Sequence, residues 1–373
     1  MTSLITRSCR FRLRWVGGLL LCWFGAGCSS LDYYTQLAQG HAQLLLAREP
    51  IDAVLIDRER DPQLRQQLAL ATAARQFASQ QLALPDNQSY RLYADIQRPY
   101  VVWNVFVTGE FSLQADTHCF PIAGCVAYRG FYQQGRARGA AALARLDGKD
   151  VWVAGVEAYS TLGWFDDPVL SSMLRRDDQQ LAALLFHELA HQQLYVDDDT
   201  AFNESFASFV EVEGLRQWLR SRNQPPVNAA QHCQRQQFIA LVLESRSRLQ
   251  QLYSGTLPAS AMREQKRAEF ERLRAHYWQL RAGPWQGMAG YDPWFAGPLN
   301  NAKLLPFGLY EQWQPAFAEL FRQAGGEWPL FYAQAQALAE QPAALRQAAL
   351  QRLFEQGNKT SIAQPNTDCA VAL

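Results

Sequence analysis

The chain has 373 residues, 35 basic and 35 acidic side chains, 48% hydrophobic residues and 19% charged ones. That balance excludes a disordered chain, which is poor in apolar residues and carries net charge, and it excludes the basic footprint of a nucleic-acid binder. The length suits one large domain or two intimate lobes.

The N-terminus reads as an address. Arg7, Arg10, Arg12 and Arg14 form a basic stretch without an acid. Trp15 to Phe24 form an apolar run too short to span a bilayer. Gly25, Ala26 and Gly27 then precede Cys28, the layout of a bacterial lipoprotein signal over residues 1–27 with Cys28 as the lipidated residue. Gly25 stands where the usual signal has leucine. Ser29 favours the outer membrane, so the expected location is the periplasm, anchored through the N-terminal lipid. Taking four arginines from 35 basic residues leaves 31 against 35 acids, about −4, so nucleic acid is not an expected partner.

Residues 28–85 carry Leu44, Leu45, Val54, Leu55, Leu64, Leu68 and Phe77 in helical patterning. From Ser89 to Gln114 the β-formers Tyr90, Tyr93, Val101, Val102, Val105, Phe106 and Val107 predict strands, with Pro99 as punctuation. Cys119 and Cys125 enclose a tight loop with two breakers, which suits a disulfide in an oxidising compartment. Cys9 and Cys22 leave with the signal, and Cys233 and Cys369 are free to pair. Gly135 to Leu146 suits a helix, and Asp150 to Thr161 a further strand. Ala158 to Gly163 is the expected exposed sheet edge, where an extended peptide would add as a strand.

A helix follows, marked by Leu181, Leu185 and Leu189 and opened by Asp177 and Asp178. It contains His187-Glu188-Leu189-Ala190-His191, an H-E-x-x-H. Histidines four apart share a helix face, so both imidazoles can reach one zinc ion, with Glu188 beside its water. Asp197-Asp198-Asp199-Thr200 breaks the helix, and a second runs from Ala201 with Phe202, Phe206, Phe209 and Val210. The chain folds back near Asp198, so Glu204 faces His191 and is the expected third ligand. Glu211 is the competitor, about two turns further along the returning helix.

Beyond Leu219 the pattern is helical, with a polar break at Arg220–Asn228, an interruption at Ser254–Ser260 and an aromatic loop at Gly283–Pro298. These boundaries give a helical segment 28–85, a catalytic core 86–222, a helical subdomain 223–355 and a flexible tail 356–373.

The stretch from His187 to His191, with Asn203-Glu204-Ser205-Phe206-Ala207 and Glu211, resembles the zinc aminopeptidases and their gluzincin relatives. With Tyr33-Tyr34, Arg48-Glu49-Pro50-Ile51, Cys119 to Cys125, Ala158 to Phe165 and Asn300-Asn301-Ala302-Lys303-Leu304, the chain is more closely similar to a bacterial family of aminopeptidase-type lipoproteins. That resemblance implies an α+β fold with a zincin-like core: a small mixed sheet, the H-E-x-x-H helix and a returning glutamate helix. It implies one zinc ion held by His187, His191 and Glu204, Glu188 as general base, and a peptide as substrate. Relatives stabilise the oxyanion with a tyrosine or histidine. Tyr310 is the preferred candidate here, ahead of Tyr291, His232 and His276. The G-x-M-E-N segment that holds the substrate amine in the larger zinc aminopeptidases is missing. Three readings stay open: a tethered zinc peptidase, a zinc-containing scaffold lipoprotein, and a zinc amidohydrolase acting on cell-wall peptides.

Overall fold

The computed structural model describes residues 31–120, 124–158, 160–226, 229–310 and 313–363. The expected signal segment, Cys28 and Cys369 lie outside them. The chain divides into two compact units, 1–47 and 48–373. In the first, residues 31–46 form helix α1. The second is a mixed α+β unit dominated by helices.

Strand β1 (Arg48–Pro50) and the short α2 (Ile51–Ile56) lead into α3 (Pro62–Gln80). Asp61 caps α3 by accepting a hydrogen bond from Gln63 N at 2.7 Å, and Pro62 needs no such partner. The helix buries Leu68, Ala71, Ala74 and Ala78, together with Arg75.

Two three-stranded sheets follow. In one, β2 (Leu92–Ala94) lies between β1 and β8 (Val169–Leu170). In the other, β3 (Val102–Thr108) lies between β6 (Arg129–Phe131) and β7 (Asp150–Val156). All seven residues of β3 are buried. Helix α4 (Gln134–Leu146) packs against β3 and β7, and α10 (Asn301–Tyr310) sets Ala302 and Leu305 against Phe106. A strand covered on both faces reads as a continuous apolar run, as Val102 to Val107 does.

The expected edge at Ala158–Gly163 is not a strand in its described residues. Leu162 and Gly163 take φ of 56° and 81°, which turn the chain, and the Asp167 carboxylate accepts hydrogen bonds from both Thr161 N and Thr161 Oγ1. The sheet instead ends at β7. The strand pattern from Ser89 is likewise interrupted, because Tyr90 is left-handed at φ 64°.

Helix α5 (Asp178–Gln193) is capped by Asp177, whose side chain accepts from Gln180 N at 2.8 Å. Its stripe is buried as the spacing predicts, Leu181 at 1% exposure and Leu185 and Leu189 at 0%. Each such leucine contributes roughly 1.5–3 kcal/mol. It packs between α3 and α6 (Thr200–Ser221). Gly214 lets α6 come close: a Cβ there would meet Leu82 Cδ1 at 2.8 Å and Phe186 Cδ2 at 3.1 Å.

Helices α7 (Ala229–Tyr253) and α8 (Ala259–Ala282) pair around a second core. The aromatic loop after Gly283 includes α9 (Asp292–Ala296), and its Trp285 and Phe295 pack among Phe238 and Tyr277. Those aromatics build a core. Helices α11 (Gln314–Gln323), α12 (Trp328–Ala339) and α13 (Ala343–Ala363) complete the unit. α13 continues to Ala363, into the segment expected as a flexible tail.

Candidate metal centre

The break between α5 and α6 is built by three side chains. Asp199 caps α6 by accepting from Phe202 N at 3.0 Å. Asp198 takes the left-handed conformation, φ 65°. Asn203, 2% exposed, both accepts from Val196 N and donates to Val196 O, each at 2.8 Å. That amide fastens the turn to the residue just before Glu204. Asn203→Ala leaves Val196 N without its partner and Val196 O with Asp199 N alone, and should cost about 1–3 kcal/mol. Denaturant unfolding checks it, and an unchanged midpoint would show that the amide holds nothing.

A second brace comes from the hairpin of β4 (His118–Phe120) and β5 (Gly124–Val126), where Cys119 and Cys125 form a disulfide. Cys125 N donates to Asp198 Oδ1. Gly124 has φ 65°, and a Cβ there would meet the same oxygen at 2.7 Å. Cys233 is also disulfide-bonded.

With the turn fixed, two helices bring three ligand atoms together. His187 Nε2 and His191 Nε2 are 3.2 Å apart. Glu204 Oε2 lies 3.5 Å from the first and 3.6 Å from the second. For metal–ligand bonds of about 2.0–2.1 Å, a tetrahedral site needs edges of about 3.3–3.4 Å. The triangle therefore suits one divalent ion, and among the described residues this is the group of that kind.

Glu211 does not join it. Its Oε2 lies 3.0 Å from His187 Nδ1. With Nδ1–H donating there, the neutral form of His187 turns its Nε2 lone pair to the triangle, the arrangement seen around metal-ligating histidines. His191 Nδ1 has no hydrogen-bond partner among the described residues.

The charges favour a cation. Burial alone raises the Glu204 carboxyl, but His191 and His187 bring it down to about 2. Burial alone lowers the His187 imidazole, yet its hydrogen bonds to Glu204 and Glu211 carry it well above its ordinary value. Glu188 moves the other way. It is 7% exposed, and burial, helped by Glu204, raises its carboxyl against the pull of His187 and His191. Burial that lifts a carboxyl brings its protonation closer to neutral pH.

Of the four oxyanion candidates, Tyr310 ends α10, with its side chain outside the described residues, as is that of His232. Tyr291 stacks on Phe238 at 3.8 Å in the second core, and His276 lies on α8 beside Glu244. The structure adds residues that the motif did not mark. Tyr195 feels the Glu204 carboxylate, and burial with that charge pushes its phenol up to about 12. Gln192, next to His191, donates to Asp167 and Ser89. Asn203 stands in the stretch that carries the resemblance, without a role read for it there; Tyr195 and Asp167 carried no signal.

The fold and the site define a helix-rich α+β protein with a largely buried His–His–Glu cluster on two successive helices. The sequence profile of the family described as "Putative aminopeptidase" matches residues 32–350, and the chain belongs to that family. Comparisons with curated proteins and with solved structures gave no match.

Proposed function

We propose that the protein is a zinc-dependent metallopeptidase with a zincin-like core, acting as an aminopeptidase and held to the periplasmic side of the outer membrane by a lipid on Cys28. The observation that carries the chemistry is the triangle of His187, His191 and Glu204 with Glu188 one residue along the same helix. Family membership supports the peptide substrate. The order of a three-stranded sheet, α5, turn and α6 supports the zincin-like reading. The basic stretch, short apolar run and Cys28 support the anchor. Among the described residues no helix is long and apolar enough to cross a membrane.

When bound by these three residues, zinc supplies Lewis acidity that makes water attack a peptide carbonyl at neutral pH. The chain's own groups do the rest. A Glu188 carboxylate oxygen takes the proton of the attacking water and returns it to the leaving amine. Glu211 holds the His187 ring in place through Nδ1, and Asn203 with the Cys119–Cys125 hairpin holds the turn that sets Glu204 against the histidines. Tyr195 and Tyr310 are the tyrosines to test as donors to the oxyanion. A scaffold with a purely structural zinc needs no base and is usually closed by a fourth protein ligand. The described cluster has three.

The reading is tested with the full chain purified in mild detergent without chelator. One zinc per chain is expected, with hydrolysis of a peptide library that stops on chelation and returns with zinc. A zinc-free protein, or hydrolysis indifferent to chelator, would end it. Glu211→Gln should weaken zinc affinity by about 10–100-fold, the usual effect of losing a carboxylate behind a ligating histidine. Competition with a coloured chelator measures it, and wild-type affinity in that variant would show that Glu211 does not orient His187.

A further inference from the structure

The helix that carries Glu204 is held from a part of the chain distant in sequence. Arg346 lies on α13 and is 5% exposed. Its Nε donates to Asp199 Oδ2 at 2.8 Å, across 147 residues of sequence. Its Nη1 donates to Ala339 O at 3.1 Å and to Gln341 O at 2.8 Å, the carbonyl that ends α12 and one just past it. The last carbonyls of a helix have no partners within it. The guanidinium also lies over Phe202, its carbon 5.7 Å from the ring centroid. A planar fork of fixed donors suits this set of acceptors better than an ammonium on a flexible stem.

An arginine that bridges helix ends is ordinarily a packing residue. What distinguishes Arg346 is its acceptor. Asp199 is the N-cap of α6, and all four of its polar groups are engaged. Oδ1 accepts from Phe202 N at 3.0 Å and Oδ2 from Arg346, the carbonyl accepts from Asn203 N at 3.1 Å, and the amide donates to Val196 O at 3.3 Å. Asp199 therefore joins the turn after α5, the first turn of α6 and α13. Glu204 stands five residues further on, its Oε2 3.5 and 3.6 Å from the histidine nitrogens. The neighbouring residue is tied to the C-terminal helices too: the fully buried Ser205 accepts at Oγ from Trp313 N, the residue before α11, at 3.1 Å. Metal–ligand distances hold to about 0.2 Å, so a shift of α6 that packing would absorb is one that a bound metal would register.

We propose that Arg346 is a positioning residue for the metal centre: acting through Asp199, it fixes the start of α6 and sets Glu204 against His187 and His191, so that metal affinity and ligand geometry depend on α13. This rests on the reading of the cluster as a metal site and goes beyond it, since neither the H-E-x-x-H stretch nor the one around Glu204 marks any residue of α13. Coupling of this kind is reciprocal, so bound metal also strengthens the hold of α13 on α6.

The test is metal binding by the full chain, stripped and then titrated with zinc against a coloured chelator, and with cobalt, whose visible absorption reports ligand geometry. Arg346→Met should weaken zinc by about 10–100-fold and alter the cobalt spectrum. Arg346→Lys keeps the charge without the fork and should recover part of the loss. Asp199→Asn keeps a capping oxygen, loses the ion pair and should weaken zinc as well. The double variant Arg346→Met/Asp199→Asn should bind no more weakly than the worse single one, because the two act in series. Lys266→Met is the comparison: it breaks an ion pair with Asp150 at 2.7 Å, remote from the cluster in the fold, and should lower the melting temperature while leaving zinc affinity unchanged. Wild-type affinity and spectrum in Arg346→Met would overturn the proposal. Should that variant not fold, the same result in Arg346→Lys and Asp199→Asn together would overturn it. Additive losses in the double variant, or an equal loss of zinc in Lys266→Met, would overturn it too. A wild type that takes up neither metal would end the metal reading itself, whereas normal uptake by wild type and variants alike would sink the positioning role alone.

Discussion

Glu188→Gln should keep its zinc and its fold and lose about 10²–10⁴-fold in peptide turnover. The amide has nearly the shape of the carboxylate but cannot accept the water's proton. Glu188 belongs to none of the contacts that define the metal triangle, so the metal should stay. Burial raises the carboxyl, while His187 and His191 on the same helix keep it from rising further. Parallel measurement of zinc content and initial rates separates the two effects. Wild-type rates in Glu188→Gln would remove the residue from the mechanism. Loss of zinc in that variant would mean that it is a ligand and that the triangle is drawn wrongly.

Removal of one ligand should be felt in binding before it is felt in rate. His187→Ala or Glu204→Ala leaves a three-atom site with two, and bound zinc should fall from one per chain to near none after dialysis. The two variants should differ in stability without metal. Glu204→Ala leaves the His187 imidazole with Glu211 as its remaining carboxylate, whereas His187→Ala leaves Glu204 and Glu211 buried without their shared partner. Removing one member of a buried charged set costs about 3–5 kcal/mol. The metal adds its own linkage: at a thousand times its dissociation constant a ligand stabilises the native state by about 4 kcal/mol, so chelation should lower the wild-type melting temperature and leave the ligand variants unmoved. Elemental analysis and thermal melts with and without chelator read both effects. Full zinc in either variant would show that the ion is held elsewhere.

The placement of the histidines was legible because it is local. An i, i+4 pair on a helix marked by Leu181, Leu185 and Leu189 must present both rings on one face, and the structure sets their nitrogens 3.2 Å apart. Glu204 was legible too, since Asp197 to Thr200 can only break the helix, and a break of known position sets which residues of two antiparallel helices meet. The breaks at Arg220–Asn228 and Ser254–Ser260 were readable on the same ground.

The parts that failed to show are those set by contacts between segments far apart in the chain. Ala158 to Gly163 had a plausible strand pattern, but the Thr161 hydrogen bonds to Asp167 and two consecutive positive φ values make it a turn. Tyr90 read as a β-former, and a network from Arg75 and Gln192 holds it left-handed against that propensity. The aromatics after Gly283 had no period to mark them as the second core. Glu211 was visible as an acid near the right spacing, but only the closeness of α5 and α6, permitted by Gly214, shows that it meets Nδ1 of His187 and not the face where Glu204 lies. Local periodicity and turn chemistry wrote the two helices of the His–His–Glu cluster into the sequence. Tertiary packing decided which buried charges surround them, because a charge's partners depend on distance in space, and that distance has no trace in one linear pattern.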